Sequence, residues 1–216
     1  MASLLPRLVS IQVGEPRRYG SWRTGYIKLP VAGPVWLGRT NLEGDGQANL
    51  AVHGGPDKAV LAYAASHYPV WRAELGMPDL PFGAFGENFT VAELDETRVC
   101  IGDVYAIGYA KLEMSQPRGP CGNISRRWQL PDLTQRVAAT GRTGWYLRVL
   151  AEGYVEAGQA LELVERPYPD WSVARATAVR RHRRADPVAA AALAHVAALS
   201  AAWRNELGTR PTEASR

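Results

Sequence analysis

Cysteine is nearly missing from this chain: Cys100 and Cys121 are the only two in 216 residues. Two are too few for a disulfide framework, and no Cys-x-x-Cys pair is present to hold an iron–sulfur cluster or a zinc knuckle. No flavin or haem motif is visible either, so any redox group is expected to be borrowed. No apolar run approaches the roughly 20 residues of a membrane span. Met1 to Ser10 lacks the long apolar stretch of a secretory signal, and a cytoplasmic location without membrane attachment is the expectation. Charge of one sign is also missing from the main body. Residues 1–166 hold 17 Lys and Arg against 17 Asp and Glu, and the whole excess of +4 lies in residues 167–216, with 8 against 4. Phosphate-backbone affinity needs a basic face, so nucleic acid is not the expected partner, although a local anion site stays open.

With 46% hydrophobic and 21% charged residues, the chain can bury a full core as one large domain or one domain with an appendage. Leu8 to Val13 alternates as a strand does, and Val35 to Leu37 does so more briefly. Gly14 to Pro30 is loop and strand without a clear period, and Gly44-Asp-Gly46 marks a turn. Lys58 opens an apolar strand to Tyr63, and Ser66 to Gly76 reads as a capped helix with His67 solvated at its start. Val99 to Ile101, Val104 to Ile107 and Tyr109 to Ser115 predict a short strand and a hairpin, with Cys100 in the core. Short helices follow at 122–128 and from Asp132 to Gly141, then strands from Trp145 to Leu150 and onward to Val164. Many short strands with glycine turns predict a closed or nearly closed β-barrel over residues 1–166. Beyond a Pro-containing boundary, Ser172 to His182, Pro187 to Leu199 and Ser200 to Leu207 predict a three-helix appendage in residues 167–216, with a disordered tail from Thr209. Its run Arg180 to Arg184 reads first as a solvated, self-repelling turn.

The chemistry concentrates in Ser115-Gln-Pro-Arg-Gly-Pro-Cys121. A strand running to Ser115 delivers Arg118 and Cys121 to a loop in which Pro117 and Pro120 each fix a backbone angle. An arginine near a thiol favours the thiolate, the form that binds metals and attacks electrophiles. Cys121 as a small buried hydrophobe is the competing reading. A second stretch, Val52-His-Gly-Gly-Pro-Asp-Lys-Ala-Val60, sets His53 and Lys58 on either side of a turn. It reads equally as a surface turn with solvated polar residues. Phe85-Gly-Glu-Asn-Phe89 places Glu87 and Asn88 between two aromatics. Asn123, Arg126 and Arg127 would lie near the Cys121 loop, at the start of a short helix.

In their order and spacing, these three stretches and Gly144-Trp-Tyr146 resemble the MOSC family, the domain found at the carboxyl end of molybdenum cofactor sulfurases. With the helical tail, the likeness is greatest to the YiiM-type subfamily, linked to resistance against 6-hydroxylaminopurine, and it runs from about Gly44 to Leu207. The resemblance implies a β-barrel that binds a molybdenum cofactor of molybdopterin type. Cys121 matches the cysteine proposed to ligate molybdenum, and Arg118 the arginine that holds the cofactor's phosphate or pterin. Lys58 and His53 are implied at the same anion site or at the substrate mouth, with His53 as a proton donor and His67 as its alternative. Asn88 and Glu87 would meet the pterin ring edge, and Gln116 and Asn123 complete the expected cofactor-binding set.

The implied reaction is reduction of an N-hydroxylated compound, such as an N-hydroxylated purine base, to its amine, detoxifying base analogues. Without a redox motif of its own, the chain would need a separate electron-donor protein, for which the basic helical tail is a suitable docking surface. Two other readings stand beside it: a module that binds or carries the cofactor or a phosphate ligand without turnover, and a cofactor-independent enzyme with Cys121 as nucleophile.

Overall fold

The computed structural model describes residues 5–208. Twelve strands and seven short helices alternate along it. Strand β1 (Arg7–Val13) is followed by a small hairpin, β2 (Arg17–Tyr19) and β3 (Trp22–Thr24), and by β4 (Leu29–Pro30), so the stretch without a clear period holds three strands. After β5 (Val35–Leu37) comes a four-residue helix, α1 (Leu50–His53), capped by the Asn49 side chain, and a tight turn of helix at Pro56–Lys58. Strand β6 (Val60–Ala64) begins two residues later than expected, because Lys58 still belongs to that turn. Helix α2 (His67–Leu75) ends at Gly76 as expected, and β7 (Phe89–Ala92) follows directly on the Phe85-Gly-Glu-Asn stretch.

The hairpin β8 (Val104–Ile107) and β9 (Ala110–Pro117) has β9 running two residues past the expected end, so Gln116 and Pro117 pair with Tyr146 and Trp145 instead of opening the loop. Cys100 makes only an isolated bridge to Ser172, so Val99 to Ile101 is not a strand; Cys100 itself is buried, as expected. Helices α3 (Asn123–Trp128) and α4 (Leu133–Thr140) precede β10 (Trp145–Ala151), β11 (Gly153–Val155) and β12 (Glu162–Glu165).

Eight strands form one sheet in the order β12-β8-β9-β10-β6-β7-β1-β4, antiparallel except between β6 and β7, whose crossover carries α2. The sheet curls as a half-barrel until the start of β1 meets the segment before β12: Leu8 donates to the Gln159 carbonyl at 2.9 Å, and Arg7 bridges Ala160. Strand β6 is buried along its whole length, as a strand enclosed on both faces must be.

The C-terminal helices are α5 (Val173–Arg181), capped by Ser172, α6 (Pro187–Ala194), capped by Asp186, and α7 (Ala201–Gly208). Helix α6 stops five residues short of Leu199, and residues 195–200 turn the chain so that Val196 and Leu199 point inward. Val173, Ala176, Leu193 and Trp203 belong to the same hydrophobic cluster as the strands, so barrel and helices share one core. A second cluster, built on Tyr63, Trp71 and Phe85, holds α2, α3 and α4 against the outside of the sheet. The expected disordered tail from Thr209 lies outside the described residues. No helix among the described residues is long and apolar enough to cross a membrane.

Candidate functional site

A cleft of about 280 Å³ opens where the end of β9, the α1 turn and the loop after β3 meet. Strand β9 ends on Pro117, and the next residue, Arg118, is only 4% exposed. Its backbone N–H donates to the Gly144 carbonyl, its Nη2 to the Phe85 carbonyl at 2.8 Å and its Nη1 to the Thr143 carbonyl at 3.3 Å. The conspicuous stretches of sequence are thereby joined: Arg118 ties Phe85 and Gly144 to its own loop. Those carbonyls orient the guanidinium without neutralising it. Among the described residues no carboxylate forms an ion pair with Arg118.

Cys121, half-buried three residues on, lines the same cleft and adds to the electrostatic field at Arg118. Two phenols share that field. Burial raises the hydroxyl of Tyr26 well above its ordinary range, with Arg118 opposing, and does the same to Tyr146. Both stay neutral donors at pH 7. The Tyr26 hydroxyl is enclosed beside Arg118, yet forms no hydrogen bond of ordinary geometry. His53 and Lys58 arrive from α1 and the turn after it. Burial, then the charges of Lys58 and Arg118, hold the His53 imidazole below its ordinary value, which leaves it neutral at pH 7. The Lys58 ammonium donates to the Val52 carbonyl and forms no ion pair among the described residues.

The remaining expected residues divide. Asn123, on α3, lines the cleft, and its side chain makes no hydrogen bond among the described residues. Asn88 also lines it, but Nδ2 donates to the Gln12 carbonyl and to Asp45, and Oδ1 accepts from the Leu61 N–H. One acceptor lone pair is left to face a ligand. Glu87 is fully buried and outside the lining: it accepts from Gly83 and Phe85 N–H groups and from the hydroxyls of Tyr68 and Thr90, which fixes the segment before Asn88. Gln116 is 5% exposed on β9 and also outside the lining. His67, expected to be solvated, is nearly enclosed and pairs with Glu96 at 2.6 Å away from the cleft.

The wall contributed by β3 and the loop after it was not expected from the sequence: Trp22 and Arg23 on the strand, and Tyr26 and Lys28 beyond it, all line the cleft. The one available signal was Gly25: a Cβ there would lie 2.1 Å from the Gly46 carbonyl oxygen, a contact that joins two turns far apart in sequence. Lys28 is neutralised by the enclosed carboxylate of Asp45, and burial lowers its pKa against that partner.

Among the described residues the cleft is therefore lined by one buried uncompensated cation, Arg118, by Lys58 and the exposed Arg23, by one thiol and two phenols, and by no carboxylate. Such a set receives an anion and offers a soft ligand. Among the described residues no three His, Cys, Asp or Glu side chains converge to hold a metal ion, so a metal here would arrive within a group that brings ligands of its own.

Residues 49–162 match the MOSC domain family. The chain is 43% identical over 201 residues to the uncharacterized protein YflK of Bacillus subtilis, spanning 91% of this chain and 90% of that one. It is 36% identical over 205 residues to protein YiiM of Escherichia coli, spanning 94% and 91%. A protein of Gibberella moniliformis named reductase is 44% identical over 154 residues, which make up 70% of this chain and 27% of that longer one. The crystal structure of YiiM from Geobacillus stearothermophilus superposes with a TM-score of 0.82 at 39% identity, covering 94% of this chain and 97% of that one. Three conspicuous stretches meeting at one cleft, on a fold shared along nearly the whole chain, make this a YiiM-type protein of the MOSC domain family.

Proposed function

We propose that the cleft binds a molybdenum cofactor of molybdopterin type and that the chain, in the cytoplasm, reduces N-hydroxylated compounds, N-hydroxylated purine bases among them, to amines. The observation that carries this reading is the buried Arg118 charge, which no carboxylate neutralises, in a cleft lined also by a thiol. A buried charge without a counterion is costly, and an anionic ligand relieves that cost. The residues fit the group. Arg118 and Lys58 would hold its phosphate, Asn123 and the free lone pair of Asn88 its pterin edge, and the Cys121 thiolate its metal.

When bound, the cofactor supplies two-electron removal of the hydroxyl oxygen from nitrogen, and the balance is hydroxylamine plus two electrons and two protons to amine plus water. The chain supplies the setting. The phenols of Tyr26 and Tyr146, neutral at pH 7, donate hydrogen bonds toward the oxygen being lost. His53, neutral before an anion arrives, gains a proton as negative charge enters beside it and can return it to the leaving oxygen. Glu87 and Gln116, enclosed beside the cleft, keep its walls in place. The Gibberella relative, 27% of which is matched, is named reductase, which supports a reduction. Electrons would come from a separate donor protein.

The test is expression in a host that makes the cofactor, purification without oxygen, and measurement of molybdenum and pterin per chain for the wild type and for Cys121→Ser, followed by assay on an N-hydroxylated purine. Near-stoichiometric metal and amine formation in the wild type, with either lost in the variant, is expected. Cofactor bound without amine formation would leave a carrier. A folded chain without pterin in either form would overturn the reading.

A further inference from the structure

A second, open cavity, of about 220 Å³, shares Arg118 and Gly119 with the cleft and is lined on its other sides by residues of α4, α5 and α7. We infer that it is a second anion site, built from the C-terminal helices, that takes inorganic phosphate or the phosphate end of a small phosphate monoester. Among the described residues four arginines line it, Arg118, Arg180, Arg181 and Arg183, against one acidic residue, Glu206.

That carboxylate is already committed. Arg180 holds both its oxygens through Nε, at 3.0 and 2.9 Å, while its guanidinium lies over the Trp203 ring at 4.5 Å. Arg183 approaches the same group only to 3.8 Å and donates instead to the Arg180 carbonyl. Arg181 donates to the Ala138 carbonyl, and Arg118 to two carbonyls of its own. Carbonyl partners fix the direction of a guanidinium and leave its charge unbalanced, which is the state in which arginine receives a phosphate bidentately.

A second, independent observation points the same way. Thr177, half-buried on α5, lines this cavity, and its hydroxyl is turned away from solvent without a hydrogen-bond partner among the described residues. A buried hydroxyl left without a partner is unfavourable, and a turn about χ1, which exchanges hydroxyl and methyl, would bring it to a phosphate oxygen in the cavity. The reading of Arg180 to Arg184 as a solvated turn is borne out for exposure at Arg181, His182 and Arg184, but Arg180 and Arg181 end helix α5, and Arg180 and Arg183 are half-buried at the cavity.

Only Arg118 and Gly119 are shared with the first cleft, so this site can be tested whatever occupies that cleft. Titration calorimetry of the full chain with inorganic phosphate should find two sites in the wild type and one in the double variant Arg181→Gln/Arg183→Gln, while Lys58→Gln weakens the other. Thr177→Val removes a hydroxyl without a partner, so it should fold as the wild type does and weaken the second site about tenfold. A wild type with one site that Lys58→Gln removes and the double variant keeps would overturn this inference and leave the cleft reading intact. Two sites unchanged in the double variant and in Thr177→Val would overturn it as well. Adenosine monophosphate binding more tightly than phosphate, with the same dependence on Thr177, assigns the site to a phosphate monoester; equal affinity assigns it to the free ion.

Discussion

A side chain on Gly86 would begin 2.4 Å from Cε2 of Tyr26, so the Tyr26 ring lies flat against bare backbone, and Gly86 itself has φ of +78°. Alanine here would combine a left-handed backbone with a collision. The first costs about 1 kcal/mol and the second about 1–3 kcal/mol. Gly86→Ala is expected to lower unfolding free energy by about 2–4 kcal/mol in urea, and to lose anion binding in the cleft because Tyr26 must move. A change under about 0.5 kcal/mol would show that the ring is free to shift.

Arg118→Lys tests whether the fork matters as well as the charge. A lysine cannot reach the Phe85 and Thr143 carbonyls while also presenting two parallel donors to a ligand. Since Arg118 lines both cavities, calorimetry with phosphate should show both sites weakened about tenfold. Substitutions at Lys58 or at Arg181 and Arg183 should each affect one. Unchanged affinity at both sites in Arg118→Lys would remove Arg118 from ligand binding.

His53 gives the cleft a pH dependence of definite sign. Burial first, then Lys58 and Arg118, depress its pKa below the ordinary 6.5, and an anion entering beside it raises that value again. Binding is therefore coupled to proton uptake. Sulfate, which does not titrate in this range, should bind more tightly as pH falls from 7.5 toward 5.5, and His53→Gln should flatten the curve. The same depression makes the unfolded chain take up the proton more readily, so the His53 contribution to stability is lost as pH falls below about 6.5. A binding profile with the same slope in His53→Gln would assign the coupling elsewhere.

Arg166 holds Asp103 through two hydrogen bonds, at 2.8 and 2.7 Å, and Asp103 is fully buried where it also accepts from the Cys100 N–H and the Tyr105 hydroxyl. Removing the guanidinium leaves that carboxylate charged and without a counterion. Arg166→Ala is expected to cost about 3 kcal/mol in urea unfolding. Hydrogen exchange should rise at Ile101 and Val173, whose N–H groups join this turn to the start of the helices. A loss below about 1 kcal/mol would mean that the two remaining donors suffice.

Where the period was strong, the fold was legible. β1, β8, α2 and α5 lie where alternation, caps and glycines set them, and the run from Arg118 to Cys121 reaches a cleft because a strand ends there. The loop after β3 was not legible, because Tyr26 and Lys28 are held by Gly86 and Asp45, contacts that span 60 and 17 residues and leave no local pattern. Glu87 misled for the opposite reason. A carboxylate between two aromatics looks available in sequence, yet four donors from its own neighbourhood surround it. The end of α6 at Ala194 was set by packing: Val196 and Leu199 are drawn into the core, and an alanine-rich run gives way to a turn that lets them reach it.

The pairing of Leu8 with Gln159 fixes an order of events during synthesis. Strand β1 is made before the other strands described; β4 can cover the C-terminal half of one edge at once, through Gln12–Pro30 and Val13–Leu29, but β7, on the other edge, begins at Phe89, and the N-terminal half of the first edge is covered only when residues 158–161 exist. At roughly 10 residues per second, the first strand waits about 8 s for one neighbour and about 15 s for the other. Nascent β1 therefore carries one bare edge until β7 is made, and the N-terminal half of its other edge stays bare for longer, so aggregation of unfinished chains should begin there.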